Sequence, residues 1–332
     1  MKKFVVLIVL VLLVVGGWSA GWLWAAGEVR SQVAALDTAA SPQVTCGRLD
    51  VVGFPFRFDV ACTDARIVDG DVTATVAGLK ASMLVYNPTQ VVFSALSPAT
   101  FDDAYSGARS RLEFSGAEGS ARLVTDDTVK GLTGEGWRIG RISVVADDIR
   151  WSDTLIGDTL ALSADHAEAH VMDVPERHDA AKGTAVLAAY ASLANASAPS
   201  LQVTGGETSF EAELTGVPDD VRQYGDADML CRLRDANGEL KLVALKGSAG
   251  TDYLESTGTF TLDPTGKPDG QLQLRSHGIV ERIRTLVPPE LQFVFGQQAA
   301  DGSYGQTLNF KAGIVMAGLL PMPFMFESLC AR

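Results

Sequence analysis

The chain has 332 residues, 27 Lys+Arg against 40 Asp+Glu and a formal charge of −13, and 47% of its residues are hydrophobic. It can bury a core, and its charge excludes a protein that holds nucleic acid by its overall field. Four cysteines and four histidines, none in a tight metal spacing, leave little material for thiol or metal chemistry.

After Met1-Lys2-Lys3 comes an uncharged run from Phe4 to Ala26, with Ser19 its one strongly polar side chain. At about 1.5 Å per residue the run reaches about 34 Å, enough to cross a hydrocarbon core of about 30 Å. A cleaved signal peptide needs small residues at −3 and −1. Trp18, Trp22, Leu23 and Trp24 occupy the relevant −3 positions, so an uncleaved anchor over residues 1–27 is expected. Lys2 and Lys3 hold the N-terminus in the cytoplasm, and the three tryptophans read as an aromatic belt at the outer interface. Residues 28–332 are then an exported domain, which places a single-pass protein in the inner membrane with its bulk in the periplasm. From Glu28 to Ala40, Val29, Val33 and Leu36 recur at helical spacing and extend the anchor helix toward Ser41-Pro42.

Cys46 and Cys62 flank Gly53-Phe54-Pro55 symmetrically. If that tripeptide turns a β-hairpin, the two thiols face each other, and an oxidising compartment would close a disulfide. Whether Cys231 and Cys330 pair stays open. Beyond residue 55 the dominant period is two: Phe56, Phe58 and Val60; Val72, Ala74 and Val76; Phe210, Ala212 and Leu214; Phe260 and Leu262; Leu272 and Leu274. Such alternation belongs to antiparallel strands with one buried side. Asp263 to Gly270 is a turn-rich loop, so Gly258 to Ser276 is a long hairpin. Helices are expected at Ala180–Asn195, Ile279–Leu286 and Pro289–Gln298, with a short turn at Asp219–Tyr224 and a soft joint near Asn195–Ser200. The last strand positions are Leu308, Phe310 and Ile314. The expected fold is mainly β: an elongated curved antiparallel sheet, a half-barrel or trough, with a few helices and an N-terminal transmembrane helix.

Several of these segments together carry a resemblance. The Trp-rich anchor, Gly53-Phe54-Pro55-Phe56-Arg57 beside a cysteine, Gly266-Lys267-Pro268-Asp269-Gly270 before a helical pair, and the closing Gly313–Pro323 segment resemble the alphaproteobacterial family of unknown function number 2125. The back half is also similar to the C-terminal segments of AsmA-like envelope proteins. The first likeness implies a membrane-anchored periplasmic protein and brings no catalytic residues. The second implies a curved sheet with an apolar trough, used in lipid movement or outer-membrane homeostasis.

Candidate chemistry is sparse. His166, His170 and His178 concentrate the imidazoles, but on a strand the first two sit about 13 Å apart, too far for one ion. Gly131, Gly134, Gly136 and Gly140 have the wrong spacing for a nucleotide loop and read as turns. Asp102-Asp103, Asp126-Asp127, Asp147-Asp148 and Asp219-Asp220 read as solvated turns rather than calcium ligands. Arg57 is a polar strand residue or a contact for a lipid phosphate. No catalytic residue, metal or cofactor is expected, and the chain reads as a non-enzyme. The candidate site is an apolar groove of Phe56, Phe58, Phe260, Leu262, Leu272, Leu274, Leu308 and Phe310. The expected partners are the inner membrane, with lipid or envelope proteins, and no nucleic acid. Two functions compete: a protein that binds or shuttles lipid in the envelope, and a structural or assembly-partner protein with a closed core and no ligand.

Overall fold

The computed structural model describes residues 2–38, 42–125, 136–224, 226, 228–284 and 287–330. Ala40, Ser41, Asp126, Asp127, Gly131, Gly134 and Leu286, named above, lie outside them. The fold is mainly β, and among the described residues seventeen strands form an antiparallel sheet. The chain forms two compact units, residues 1–120 with 150–160 and residues 121–149 with 161–332.

The first unit begins with α1 (Lys2–Ala35), long and apolar enough to cross a membrane. Then come β1 (Gln43–Val52), β2 (Arg57–Asp69), β3 (Val72–Leu84), β4 (Asn87–Asp103) and β5 (Arg109–Glu113), paired in chain order. Three strands, β6 (Gly116–Val124), β7 (Arg138–Asp153) and β8 (Thr159–Asp173), have residues in both units. The second unit continues with β9 (Thr184–Ala198), β10 (Val203–Pro218), α2 (Met229–Asp235), β11 (Leu240–Ala249), β12 (Asp252–Leu262) and β13 (Pro268–His277). It closes with α3 (Ile279–Ile283), a 3-10 helix at Pro289–Phe295, β14 (Gln297–Gln298), β15 (Tyr304–Lys311), β16 (Ile314–Ala317) and β17 (Leu320–Met325). From β8 to β13 each strand pairs with the next; β13 then pairs with β15, β15 with β16 and β16 with β17.

Local rules explain most of this. In β13 Gln271, Gln273 and Arg275 are exposed while Leu272 and Leu274 are half-buried, the period-two pattern of a sheet with one covered side. Pro268 opens that strand, where a missing N–H is tolerated, and Gly278 at φ 70° ends its run into α3. The Asp219–Tyr224 turn is a 3-10 helix at Val221–Gln223, capped by the Asp220 side chain.

Four expectations are corrected. Ala180–Asn195 is not a helix: residues 184–198 form β9, hydrogen-bonded on both edges. Alanine is the best helix former, yet a ladder on each side outweighs a propensity of a few tenths of a kcal/mol per residue. Asn195–Ser200 is accordingly no joint: Asn195 to Ala198 finish β9, and Pro199 and Ser200 begin the 3-10 turn (Pro199–Leu201) into β10, inside the second unit. Gly136 is a bend glycine at φ 68°, whereas Gly140 lies inside β7, where a Cβ would press on Val124 at 2.8 Å. Finally, Cys46 and Cys62 are joined by a disulfide at a Cα–Cα separation of 5.3 Å, but they do not face each other. Cys46 pairs with Ala65 and Cys62 with Leu49, because the hairpin centres between Pro55 and Phe56 rather than on Phe54. The bridge runs diagonally past Asp64, whose φ of 51° kinks the strand. A second disulfide joins Cys231 of α2 to Cys330, with Cα atoms 5.0 Å apart.

The first unit's core forms where α1 meets the first hairpin. Trp22 and Ala26 are buried with Val51 and Phe58, and Trp22 stacks on Phe58 at 5.3 Å. Three polar ties accompany them: Trp18 Nε1 donates to the Pro55 carbonyl (3.0 Å), Trp22 Nε1 to Arg57 (3.1 Å) and an Arg30 Nη2 to Val51 (2.7 Å). The reading of three belt tryptophans is thereby revised. Trp22 is buried against the hairpin, whereas Trp18, which donates to its turn, and Trp24 stay exposed at 45% and 73%.

Candidate functional site

Register carries one apolar face across the second unit. Ala169 faces Ala191, which faces Phe210, which faces Leu245. Further along the strands, Leu187 faces Leu214, then Leu240, Phe260, Gly270, Phe310 and Val315 in turn. Facing residues project to the same side of a sheet, so these form a single surface. A bulge that leaves Val243 unpaired keeps Leu242 and Leu245 on that side in spite of their odd spacing.

The eight groove residues fall into three settings. Phe58 is buried beneath Trp22 in the first unit, and Phe56 is exposed in the turn before β2. The other six lie on β12, β13 and β15. Phe260 and Phe310 meet edge to face at 5.2 Å, one on each side of Gly270, where a Cβ would collide with the Thr259 carbonyl. Leu272 faces Leu308, and Leu308, Val315 and Ala317 form a buried cluster. Against it pack Leu272, Leu274 and Phe310, together with Phe293 and Val294 of the 3-10 helix and Met322 of β17. Leu262 is half-buried opposite Pro268. This end of the face is closed by the protein's own C-terminal segment.

The other end is open. Val144 and Ala146 of β7, Ala167 and Ala169 of β8, Ala191 and Leu193 of β9, and Thr208 and Phe210 of β10 line a shallow trough of about 350 Å³, which Glu168 and Ser192, hydrogen-bonded to each other at 3.0 Å, also border. Its floor is made of alanines, and the missing side-chain volume is the trough. Leu193 and Thr208 also line a second cavity of about 250 Å³, which is bounded by Ile279 and Ile283 of α3 and by Leu162, Leu201, Val203 and Leu254. The charged side chain there, Arg282, donates to the Gln202 carbonyl (2.6 Å) and pairs with Asp252, so its charge is matched. What remains is a strip of small and apolar side chains running from β7 to a pocket beneath α3. Sequence reasoning missed it by reading β9 as a helix. The signal was present: Leu187, Ala189, Ala191 and Leu193 alternate with Ala188, Tyr190 and Ser192.

A family model described as an uncharacterised protein conserved in bacteria (DUF2125) matches residues 22–323. The chain belongs to that family. No curated protein and no solved structure matches it. The DUF2125 match takes in the docking tryptophan Trp22, the first hairpin and the whole strip.

The histidines of β8 and several carboxylates of this DUF2125 chain are engaged in internal pairs. His166 contacts Asp147 at 2.6 Å, and His170 contacts Glu168 at 3.1 Å, on β8. Hydrogen bonds from His170 and Ser192 hold Glu168 below the usual carboxylate range. His178 contacts the buried Asp173 at 2.5 Å, with Arg138 3.7 Å from the other carboxylate oxygen. Burial, then the negative charge of Asp173, pushes the Tyr224 phenol up to about 12. Asp220 is lowered to about 2, chiefly by the Arg222 guanidinium, and also accepts from the Gly136 N–H at 3.2 Å. Among the described residues no three His, Cys, Asp or Glu side chains are arranged to hold a metal ion. Asp103 and Asp219 likewise serve turns: Asp103 accepts from the Tyr105 N–H and the Ser106 hydroxyl, and Asp219 donates its N–H to the Gly183 carbonyl. Arg57 pairs with Asp59 at 2.7 Å.

Proposed function

We propose that this is a non-catalytic protein of the bacterial inner membrane, anchored by α1 with its bulk in the periplasm, that binds or shuttles lipid by holding acyl chains on the strip of β7–β10. The observation that carries the reading is the strip itself. A soluble face would put polar residues where Val144, Leu193 and Phe210 stand, and a closed core would cover them; an acyl chain needs a long, narrow, apolar bed, and the one carboxylate at its border, Glu168, is already held by His170 and Ser192. Alanine at four floor positions leaves room for a chain of methylenes. Two disulfides fit an oxidising compartment. The likeness of the C-terminal half to AsmA-like envelope proteins, and of the whole to an alphaproteobacterial family, points the same way.

A second reading has its own observation. The cluster around Leu308 is covered by Phe293, Val294 and Met322, so part of the same face is a closed core, as in a structural or assembly-partner protein without ligand.

Native mass spectrometry of the gently extracted protein tests the first reading. Phospholipid co-purifies with wild type and is lost from Phe210→Asp, which stays folded because Phe210 stands at an open position. A wild-type protein free of lipid overturns the reading and puts the assembly-partner role in its place.

A further inference from the structure

We infer that the tips of the β1–β2 and β3–β4 hairpins of unit one are seated in the membrane, inside the leaflet that α1 leaves. The inference rests on α1 spanning the bilayer and goes beyond it, because a span alone leaves the attached domain in water.

The argument is one of height. A hydrocarbon core of about 30 Å takes about 20 helical residues, so a span that begins at Phe4 runs to about Leu23. Trp18 is five residues before that point, about 7.5 Å below the boundary at 1.5 Å per residue. Yet the Trp18 indole donates to the Pro55 carbonyl in the turn of the first hairpin, and Trp22 donates to Arg57 just beyond it. The turn therefore lies alongside the buried part of the helix. The β3–β4 turn comes with it, because the Val85 N–H donates to the Phe56 carbonyl at 2.9 Å.

The chemistry of the tips agrees with that depth. Phe54, Phe56 and Tyr86 stand out at 51%, 62% and 75% exposure, an unusual display of aromatic surface at two adjoining turns. Aromatic side chains favour the interface between headgroups and acyl chains, and interfacial elements typically sink about 5–10 Å into it. Backbone that enters such a layer must have its polar groups satisfied. At this turn the carbonyls of Gly53, Pro55, Phe56 and Arg57 each have a donor, and Pro55 has no N–H to satisfy. The charge at its edge, Arg57, is matched by Asp59.

The full-length oxidised protein, reconstituted in phosphatidylethanolamine–phosphatidylglycerol vesicles, tests this. An environment-sensitive fluorophore is attached at Phe56→Cys, at Tyr86→Cys or, as a control, at the exposed Tyr105→Cys of the β4–β5 turn. The two tip probes shift to the blue and are quenched by spin labels on the lipid acyl chains, while the Tyr105 probe reports water. Tip probes as aqueous as the control overturn the inference, as does a blue shift without lipid quenching, which would mean that protein covers the tips. Flotation of the same vesicles after an alkaline wash separates the premises. Protein that does not float loses both the anchor and the tips, whereas protein that floats with aqueous tip probes loses the tips alone.

Discussion

Two stretches of one sheet face in the second unit have opposite fates. Around Leu308 the apolar side chains are capped by residues from both sides in sequence, Phe293 and Val294 before it and Met322 after it. Around Ala191 the same face, continuous by register, lies open along a floor of alanines. Alternation assigns a side chain to a face. What covers that face is decided by segments outside the strand itself, here the 3-10 helix before β15 and β17 after it, and the same pattern can end as core or as trough.

Truncation at each end measures this difference most directly. Leu308→Ala should cost about 2–5 kcal/mol in urea unfolding, since it empties a covered site, whereas Phe210→Ala should stay within about 0.5 kcal/mol of wild type. Equal losses would mean that both ends are core.

The first unit provides a reference in which closure is covalent. Replacing Cys46 and Cys62 by serine frees a loop of about 15 residues and should cost about 3 kcal/mol by the loop-entropy argument, less if the β1–β2 ladder already confines the hairpin. Denaturation midpoints with and without reductant would read it.

A smaller effect should appear in acid. Asp220 titrates at about 2 when folded, below the ordinary 3.8, so its contribution is fully present above about pH 4 and is lost as pH falls toward 2. Asp220→Asn should be less stable than wild type at neutral pH and should lose less stability between pH 4 and 2. A variant with unchanged acid sensitivity would show that the Arg222 contact contributes nothing.

The smallest effect belongs to the polar side of the sheet. Arg177→Ala removes the exposed ion pair with Glu213 (2.7 Å) and should change stability by less than about 1 kcal/mol. Because Arg177 is the chief reason that Glu213 lies below the usual range, the Glu213 carboxyl should titrate higher in that variant, which NMR can follow.

How much of this was legible follows from the same physics. Gln271 to Arg275 announce a strand, and Phe4 to Ala26 announce a helix long and apolar enough to cross a membrane, because each pattern is local. The tie of Cys46 to Cys62 was legible as a pair but not in its register, which depends on where the turn centres. The β9 strand was illegible by propensity, since Ala188, Ala189 and Ala191 favour a helix until β8 and β10 supply both ladders. The short helix α2 carries charges that suit it, with Asp226 and Asp228 before its start and Arg232 and Arg234 in its last turn, but seven residues give a weak periodic signal. The pocket was hidden most deeply, for α3 borders it only through its place in the fold.

The docking of α1 has a directional consequence. Trp18, Trp22, Ala26 and Val29 fall on one side of the helix at spacings of four, four and three, and the last three join the packing against the hairpin. The helix is thus keyed to the hairpin, and its roll about its own axis is set by that packing. A flexible leash would let an anchor present any side to its neighbours. Here any rotation of the first hairpin carries α1 with it, so the helix keeps Trp22, Ala26 and Val29 toward the hairpin and its opposite side away from it.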